Sequence, residues 1–232
     1  MNGLNTSLLA DPAAFLATRP VNVSGILPRT VSAGGAPSTT PMIDTIKYGA
    51  FDIVPDGGQV GLREAGGALN AAAGGDQALI AYWCPFAQTN GPAGHVDIPK
   101  TRPATDTVFT AAMNGCSLIV TAFPGKADHF RLHHHQYPAG TSRAIVNAAS
   151  GITEGAIVFE FAEARYNTPA TVGGFSQAFN FLRFTGGRWR LHSQYTKLTL
   201  AAGGTKQVRT VISTATLDAA HPTSVREVTM PA

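Results

Sequence analysis

The stretch SLIVTAFPGKADHFRLHHH, residues 117–135, contains two runs of β-forming residues on either side of a turn. Ser117–Phe123 is rich in Ile, Val, Thr and Phe, which suit a pleated and half-buried strand. Pro124 and Gly125 end this run, and Phe130–His135 then resumes an alternation of apolar and polar side chains. This pattern predicts a β-hairpin.

Similar short apolar runs recur along the rest of the chain, and turn residues separate them. Gly186 and Gly187 between two of the runs are typical of a hairpin turn. Long Ala-, Glu-, Lys- and Leu-rich helices are absent, so an all-helical bundle is excluded. The sequence predicts an α+β domain of two packed sheets with a few helices over residues 46–232. The further strand candidates are Phe51–Val54, Ala78–Trp83, Ala156–Phe161, Ala178–Phe184, Trp189–Leu200 and Val208–Thr214.

The first 45 residues differ from this pattern, and we interpret residues 1–45 as a partly disordered leader and linker. Ser32–Pro41 is small, polar and Pro-rich, which is typical of a linker. A short helix is expected around Ser7–Ala17, where Asp11 and Pro12 have the form of an N-cap and first-turn pair.

A second helix is expected over Thr105–Gly115. Asp106 can cap it, and its apolar residues fall near helical spacing. Asn114 and Gly115 would end it in the left-handed conformation, and a strand would begin at Cys116.

Composition excludes several classes of protein. Only 13% of the 232 residues are charged and the net charge is +3, with scattered basic residues, so no nucleic-acid partner is expected. No apolar stretch reaches the length of about 18 residues that a membrane helix needs, and no secretory signal peptide is evident. The two cysteines are too few for a disulfide scaffold.

Cys116 is the candidate nucleophile, because a tight corner can present a thiol beside backbone N–H groups that serve as an oxyanion hole. A cysteine nucleophile needs a base, and the hairpin brings the histidine-rich strand opposite. His134 continues the apolar face of that strand and ranks first as the base. His133 and His129 are the alternates, on a face that we expect to be solvated.

Other interpretations of these residues remain open. Cys84 and Cys116 could be core thiols of a non-catalytic binding module, since free cysteine is often buried. His129, His133 and His135 at every second position could chelate Zn or Ni. No Cys or carboxylate cluster completes such a site, so no metal is predicted. No phosphate-binding glycine loop occurs either, so no cofactor is predicted.

Four motifs resemble a known family. Met113–Cys116 matches the Gly and Cys of a Leu-Ser-Gly-Cys motif, and Thr110 stands six residues before the cysteine, as the family's catalytic threonine does. Trp83–Phe86 is similar to a Trp-Leu-Pro-Trp stretch, and Leu132–Pro138 is similar to the surroundings of the family's catalytic histidine. Together these motifs resemble the cytotoxic necrotizing factor type of toxin deamidases, and among them most closely Burkholderia lethal factor.

The resemblance implies a sandwich of two mixed sheets flanked by short helices and loops. It also implies hydrolysis of a glutamine side-chain amide in a host protein, of the Rho-type GTPase or translation-factor class. Cys116 would then be the nucleophile, His134 the base and Thr110 the residue that orients it, with Asn114 and Gly115 in the oxyanion motif. We expect a monomer, secreted without a standard signal peptide to act in the host cytosol, or otherwise cytoplasmic. Transglutamination by the same chemistry is the alternative activity.

Overall fold

The computed structural model describes residues 3–23, 48–65, 78–86, 91–123, 125–136, 143–166, 174–200 and 207–220. Within these ranges the chain forms three α-helices and twelve β-strands. The helices are α1 (Gly3–Ala10), α2 (Pro12–Thr18) and α3 (Arg143–Ser150). The strands are β1 (Val21–Asn22), β2 (Tyr48–Asp56), β3 (Gln59–Glu64), β4 (Leu79–Cys84), β5 (Gly94–Pro99), β6 (Thr107–Thr110), β7 (Ser117–Ala122), β8 (His129–His135), β9 (Ile157–Phe161), β10 (Phe175–Thr185), β11 (Arg188–Leu200) and β12 (Gln207–Ala220).

The strands form two sheets. The larger sheet has eight strands in the order β1-β3-β2-β4-β6-β10-β11-β12, and it is mixed because β1 runs parallel to β3 and β4 runs parallel to β6. The smaller sheet has the order β5-β8-β7-β9 and is antiparallel. The expected α+β sandwich is confirmed, although only the larger of its two sheets is mixed, and β7 and β8 form the predicted hairpin.

One hydrophobic core lies between the two sheets. Leu118, Leu132 and Phe159 enter it from the smaller sheet, and Leu182 and Leu191 enter it from the larger one. All five side chains are buried, and each stabilises the fold by about 1.5–3 kcal/mol relative to an exposed position. Alternation along each strand therefore determines which side chains can reach the space between the sheets.

A second hydrophobic core covers the other face of the larger sheet. Leu8 of α1 and Phe15 and Leu16 of α2 pack there against the sheet, where Phe109 and Phe181 are fully buried. Asp11 caps α2 by accepting a hydrogen bond from the Ala14 N–H at 3.0 Å, as the sequence predicts.

Polar side chains inside this second core tie the first 23 residues to the sheet. The side-chain oxygen of Gln194, Oε1, accepts a hydrogen bond from the Val21 N–H at 2.8 Å. The side-chain nitrogen of Gln194, Nε2, donates to the backbone carbonyl oxygens of Leu16 at 2.5 Å and Arg19 at 2.8 Å. The beginning of the predicted leader is therefore packed against the domain. The division at residue 45 stays a prediction, and the expected linker Ser32–Pro41 lies outside the described residues.

The expected helix over Thr105–Gly115 is wrong. The segment instead contains β6, which pairs with β4 on one side and β10 on the other, and all four of its residues are buried. A strand buried on both faces has a continuous apolar run that short-range periodicity cannot distinguish from a helix. Gly115 does adopt a left-handed φ of +83°, and the following strand begins at Ser117.

None of the helices in the described ranges has the length and apolar character required to cross a membrane.

Replacing Gln194 with Ala should lower the free energy of unfolding by about 3 kcal/mol, because it leaves one N–H and two carbonyl groups of the N-terminal segment without their buried partner. Urea unfolding of the purified protein measures this change. Gln59→Ala is the matched control, since Gln59 is only half-buried and bonds to Asp56 at 3.3 Å. Equal losses of unfolding free energy in the two variants would show that Gln194 does not hold the N-terminal segment against the sheet.

Candidate active site

The site begins where two parallel strands of the larger sheet end together. Cys84 is the last residue of β4 and lies beside Thr110, the last residue of β6. The Thr110 hydroxyl donates a hydrogen bond to the Cys84 carbonyl oxygen at 2.9 Å. This bond uses the only proton of the hydroxyl, so the Thr110 oxygen can only accept further hydrogen bonds.

His134 reaches the same hydroxyl from the smaller sheet. Its Nδ1 lies 2.7 Å from the Thr110 oxygen, and its ring is fully buried. Because that oxygen can only accept, Nδ1 carries the ring proton and donates it. His134 Nε2 is then an unprotonated acceptor, and it has no hydrogen-bond partner among the described residues. The contact therefore fixes the tautomer that a general base requires.

Burial also keeps the His134 ring neutral. Loss of solvation lowers the pKa of His134 from 6.5 to about 3, and the neighbouring His135 adds a smaller effect in the same direction. Phe86 contributes to this dry environment, since its ring centroid lies 4.9 Å from that of His134. At neutral pH the imidazole is therefore a neutral base.

Cys116 lies just before β7, on the side of the smaller sheet that faces the larger one. Leu118 of β7 is the register partner of His134 in β8, and Cys116 is two positions before Leu118. Cys116 packs in the same inter-sheet core as Leu118 and is 6% exposed. Its thiol thus belongs to the sheet face that carries His134.

The other histidines of β8 belong to the opposite face. His133 Nε2 lies 3.2 Å from the Thr121 hydroxyl, and His135 Nε2 lies 2.8 Å from the Asn147 side-chain oxygen. His129 Nδ1 contacts Asp128 at 2.9 Å, at the far end of the strand. The structure thus brings Thr110 and His134 together and places the alternate histidines elsewhere. The catalytic roles stay predictions.

The expectation that this opposite face is solvated is wrong. His133 is 2% exposed and His135 is fully buried. Helix α3 covers this part of the sheet, and its Asn147 binds His135. The sequence did not predict α3, so it gave no sign that the face would be covered. No group of three or more His, Cys, Asp or Glu side chains in the described ranges is arranged to hold a metal ion.

Two residues near the site have roles that the sequence did not reveal. Tyr166 is fully buried, and its hydroxyl donates to the Cys116 carbonyl oxygen at 2.8 Å. A Cβ on Gly94, which pairs with His134 in β5, would lie 2.0 Å from the Pro85 carbonyl oxygen. Glycine at this position therefore allows the end of β4 to approach the smaller sheet. Neither contact leaves a local pattern in the sequence.

Cys84 is buried as the sequence predicts. Its side chain is 0% exposed, and its Sγ lies 3.5 Å from the Leu132 carbonyl oxygen. Burial raises the pKa of the Cys84 thiol to about 12, against smaller opposing hydrogen bonds led by the backbone of His134. Cys84 is therefore a protonated thiol at neutral pH and a poor nucleophile.

The family model of the Mcf1 activator-binding domain matches residues 6–224. The chain belongs to this family. Membership in the Mcf1 activator-binding domain family supports a relationship to toxin domains, and it gives no support to Burkholderia lethal factor in particular.

Among solved structures, the crystal structure of the C-terminal domain of CNFy from Yersinia pseudotuberculosis is similar at 12% identity. The alignment covers 79% of this chain and 73% of that chain, with a TM-score of 0.40. No curated protein matches the chain.

The buried His134 predicts a loss of stability in acid. The unfolded chain binds a proton at this ring below about pH 6.5, whereas folded His134 stays neutral down to about pH 3. Between these values the unfolded state holds more protons, so stability falls as the pH falls. The expected loss from His134 alone is on the order of 2 kcal/mol between about pH 7 and about pH 5.

Urea unfolding at the two pH values measures this loss. His134→Gln should flatten the pH dependence by that amount. An unaltered slope in His134→Gln would show that the ring is not held neutral.

Proposed function

We propose that the chain is a cysteine hydrolase that deamidates a glutamine side chain of a host protein. In this proposal Cys116 is the nucleophile, His134 is the general base and Thr110 orients the imidazole. The observation that carries the proposal is the contact between Thr110 and His134 Nδ1, which leaves Nε2 as an acceptor on the sheet face of the cysteine. Family membership supports the relationship to toxin domains and not the chemistry of this proposal.

The reaction follows from these positions. The Cys116 sulfur attacks the carboxamide carbon while His134 Nε2 takes the thiol proton, and a tetrahedral oxyanion forms. The C–N bond then breaks as the imidazolium returns a proton to the departing ammonia. A thioester remains, and water activated by His134 hydrolyses it to glutamate and the free thiol. Because burial disfavours the charged ring, the imidazolium exists only between these two proton transfers.

Thr110 takes the role that a carboxylate has in other cysteine or serine triads. A neutral hydroxyl fixes the ring and its tautomer, but it adds no negative charge to stabilise an imidazolium. This fits a ring whose pKa is about 3. Backbone N–H groups at the turn of Gly115 and Cys116 are the proposed oxyanion donors.

Burial of the reacting groups favours a side-chain amide as substrate. Cys116 is 6% exposed and His134 is fully buried, so a broad main-chain segment would have to displace the sheet edges. A glutamine side chain presents its carboxamide on a slim and flexible stem. The substrate class, a Rho-type GTPase or a translation factor, and delivery to the host cytosol rest on the family resemblance.

Thiol chemistry tests the nucleophile, because the chain contains a buried reference cysteine. Iodoacetamide near pH 7 should alkylate Cys116 and leave Cys84 unmodified, as measured by peptide mass spectrometry. His134→Gln should slow alkylation of Cys116 at least tenfold, because the base is lost. Equal labelling of the two thiols, or no effect of His134→Gln, would refute the mechanism.

The substrate is sought in a eukaryotic cell lysate. Wild-type protein should convert specific glutamines to glutamates, detected by proteomics, and Cys116→Ser should abolish this conversion while Cys84→Ser retains it. A fluorescent primary amine added to the same lysate separates the rival activity. Its incorporation at glutamine would identify a transglutaminase.

A second candidate function is binding of a protein partner, since the family is described as an activator-binding domain. Helix α3 favours this function because its exposed positions are all apolar, with Ile145 at 52% exposure. Among its polar side chains, Asn147 is buried and binds His135, and Arg143 is partly exposed and pairs with Glu160. The exposed positions are Ala144, Ile145, Ala148 and Ala149. The occupant that fits is a protein with an apolar contact surface.

Ile145→Asp should weaken binding of such a partner at least tenfold, because it places a charge within the apolar face of α3. The helix should persist, since an acidic residue in its first turn is favourable. A protein captured from lysate and then purified is titrated against each variant by calorimetry. Phe175→Ser is the control, because it removes another exposed apolar side chain, 64% exposed, on β10. Equal losses of binding affinity in both variants would argue against α3 as the binding surface.

A further inference from the structure

Tyr166 lies in the inter-sheet core directly after the short 3₁₀ helix Glu163–Arg165. Its ring stacks on Phe161 of β9, with ring centroids 6.0 Å apart and an angle of 15° between the planes. An apolar side chain such as phenylalanine would keep this stacking. Stacking therefore does not explain the hydroxyl of Tyr166, which costs free energy to bury unless it forms a hydrogen bond.

The hydroxyl contacts the backbone of the candidate nucleophile. It donates a hydrogen bond to the Cys116 carbonyl oxygen at 2.8 Å. Burial, the Cys116 thiol and Glu163 raise the pKa of Tyr166, while hydrogen bonds with the backbone of Gly115 and Cys116 offset part of this rise. The phenol stays protonated, so it remains a hydrogen-bond donor throughout the range in which the protein would act.

Glycine lies at the centre of the turn that Tyr166 contacts. Gly115 adopts a φ of +83°, a region that glycine visits at little cost and leaves as readily. Backbone pairing holds the two ends of the turn, at Met113, which exchanges two hydrogen bonds with Ala178, and at Ser117, where β7 begins. Tyr166 contacts the backbone between these two ends, at the residue that carries the candidate nucleophile.

We infer that Tyr166 is a positioning residue that holds the Cys116 turn in the orientation needed for attack on an acyl carbon. The inference rests on the proposed cysteine hydrolase. Attack on an acyl carbon places the sulfur and the backbone N–H groups on one tetrahedral centre at the same time. Displacement at a saturated carbon requires only the sulfur. Loss of the tyrosine hydroxyl should therefore affect the two reactions differently.

Two reagents that modify the same sulfur measure this difference. p-Nitrophenyl acetate acylates the thiol through a tetrahedral oxyanion, forming an S–C bond and releasing p-nitrophenolate. Iodoacetamide alkylates it by direct displacement of iodide, without an oxyanion. Tyr166→Phe should slow acylation of Cys116 on the order of tenfold and change its alkylation by less than about twofold, with both rates followed by mass spectrometry.

Tyr195→Phe is the matched control, because Tyr195 also packs on the Phe161 ring, with centroids 6.0 Å apart. It should change neither rate. The acylation-to-alkylation ratio is measured on the same folded protein, so a difference in protein concentration lowers both rates equally and does not imitate the effect.

The outcomes separate the two proposals. If wild-type Cys116 reacts and Tyr166→Phe leaves the acylation-to-alkylation ratio unchanged, Tyr166 is only a structural residue and the inference is overturned. If wild-type Cys116 reacts with neither reagent, the proposed cysteine hydrolase itself fails, and the inference fails with it.

Discussion

The Thr110 hydroxyl is the contact on which the candidate site depends, because it joins the two layers of the sandwich at one atom. It donates to the carbonyl of Cys84 in the larger sheet and accepts from His134 in the smaller one. A threonine can meet both demands because a hydroxyl is donor and acceptor at once. The pairing of β4 with β6 places Thr110 beside Cys84, and the glycine at position 94 lets the two layers approach closely enough for this bridge.

Residue order along β7 and β8 was enough to predict the hairpin and to rank His134 first, since period-two alternation decides which face a side chain joins. The same reasoning failed at β6, where a strand buried on both faces resembled a helix. It also missed that α3 covers the outer face of the hairpin. Gln194 and Tyr166 could not be found at all, because their partners lie far away in sequence and leave no local pattern.

Cys84 and Cys116 lie in the same core, but their positions differ. Cys84 is an inert thiol, whereas Cys116 is the candidate nucleophile. Cys84 lies in the middle of the sandwich at the end of a paired strand, where burial holds its proton. Cys116 follows a left-handed glycine just before β7, and its carbonyl oxygen accepts a hydrogen bond from Tyr166.

The link between Gln194 and the first two helices has a consequence for biosynthesis. Val21 binds a partner that lies 173 residues later in the chain, so this hydrogen bond cannot form until β11 has left the ribosome. Before β10 is made, Leu8, Phe15 and Leu16 also lack Phe179 and Phe181, the β10 members of their core, and their apolar surface is only partly covered. The nascent chain therefore exposes apolar surface of the kind that chaperones bind while synthesis of the later strands is completed.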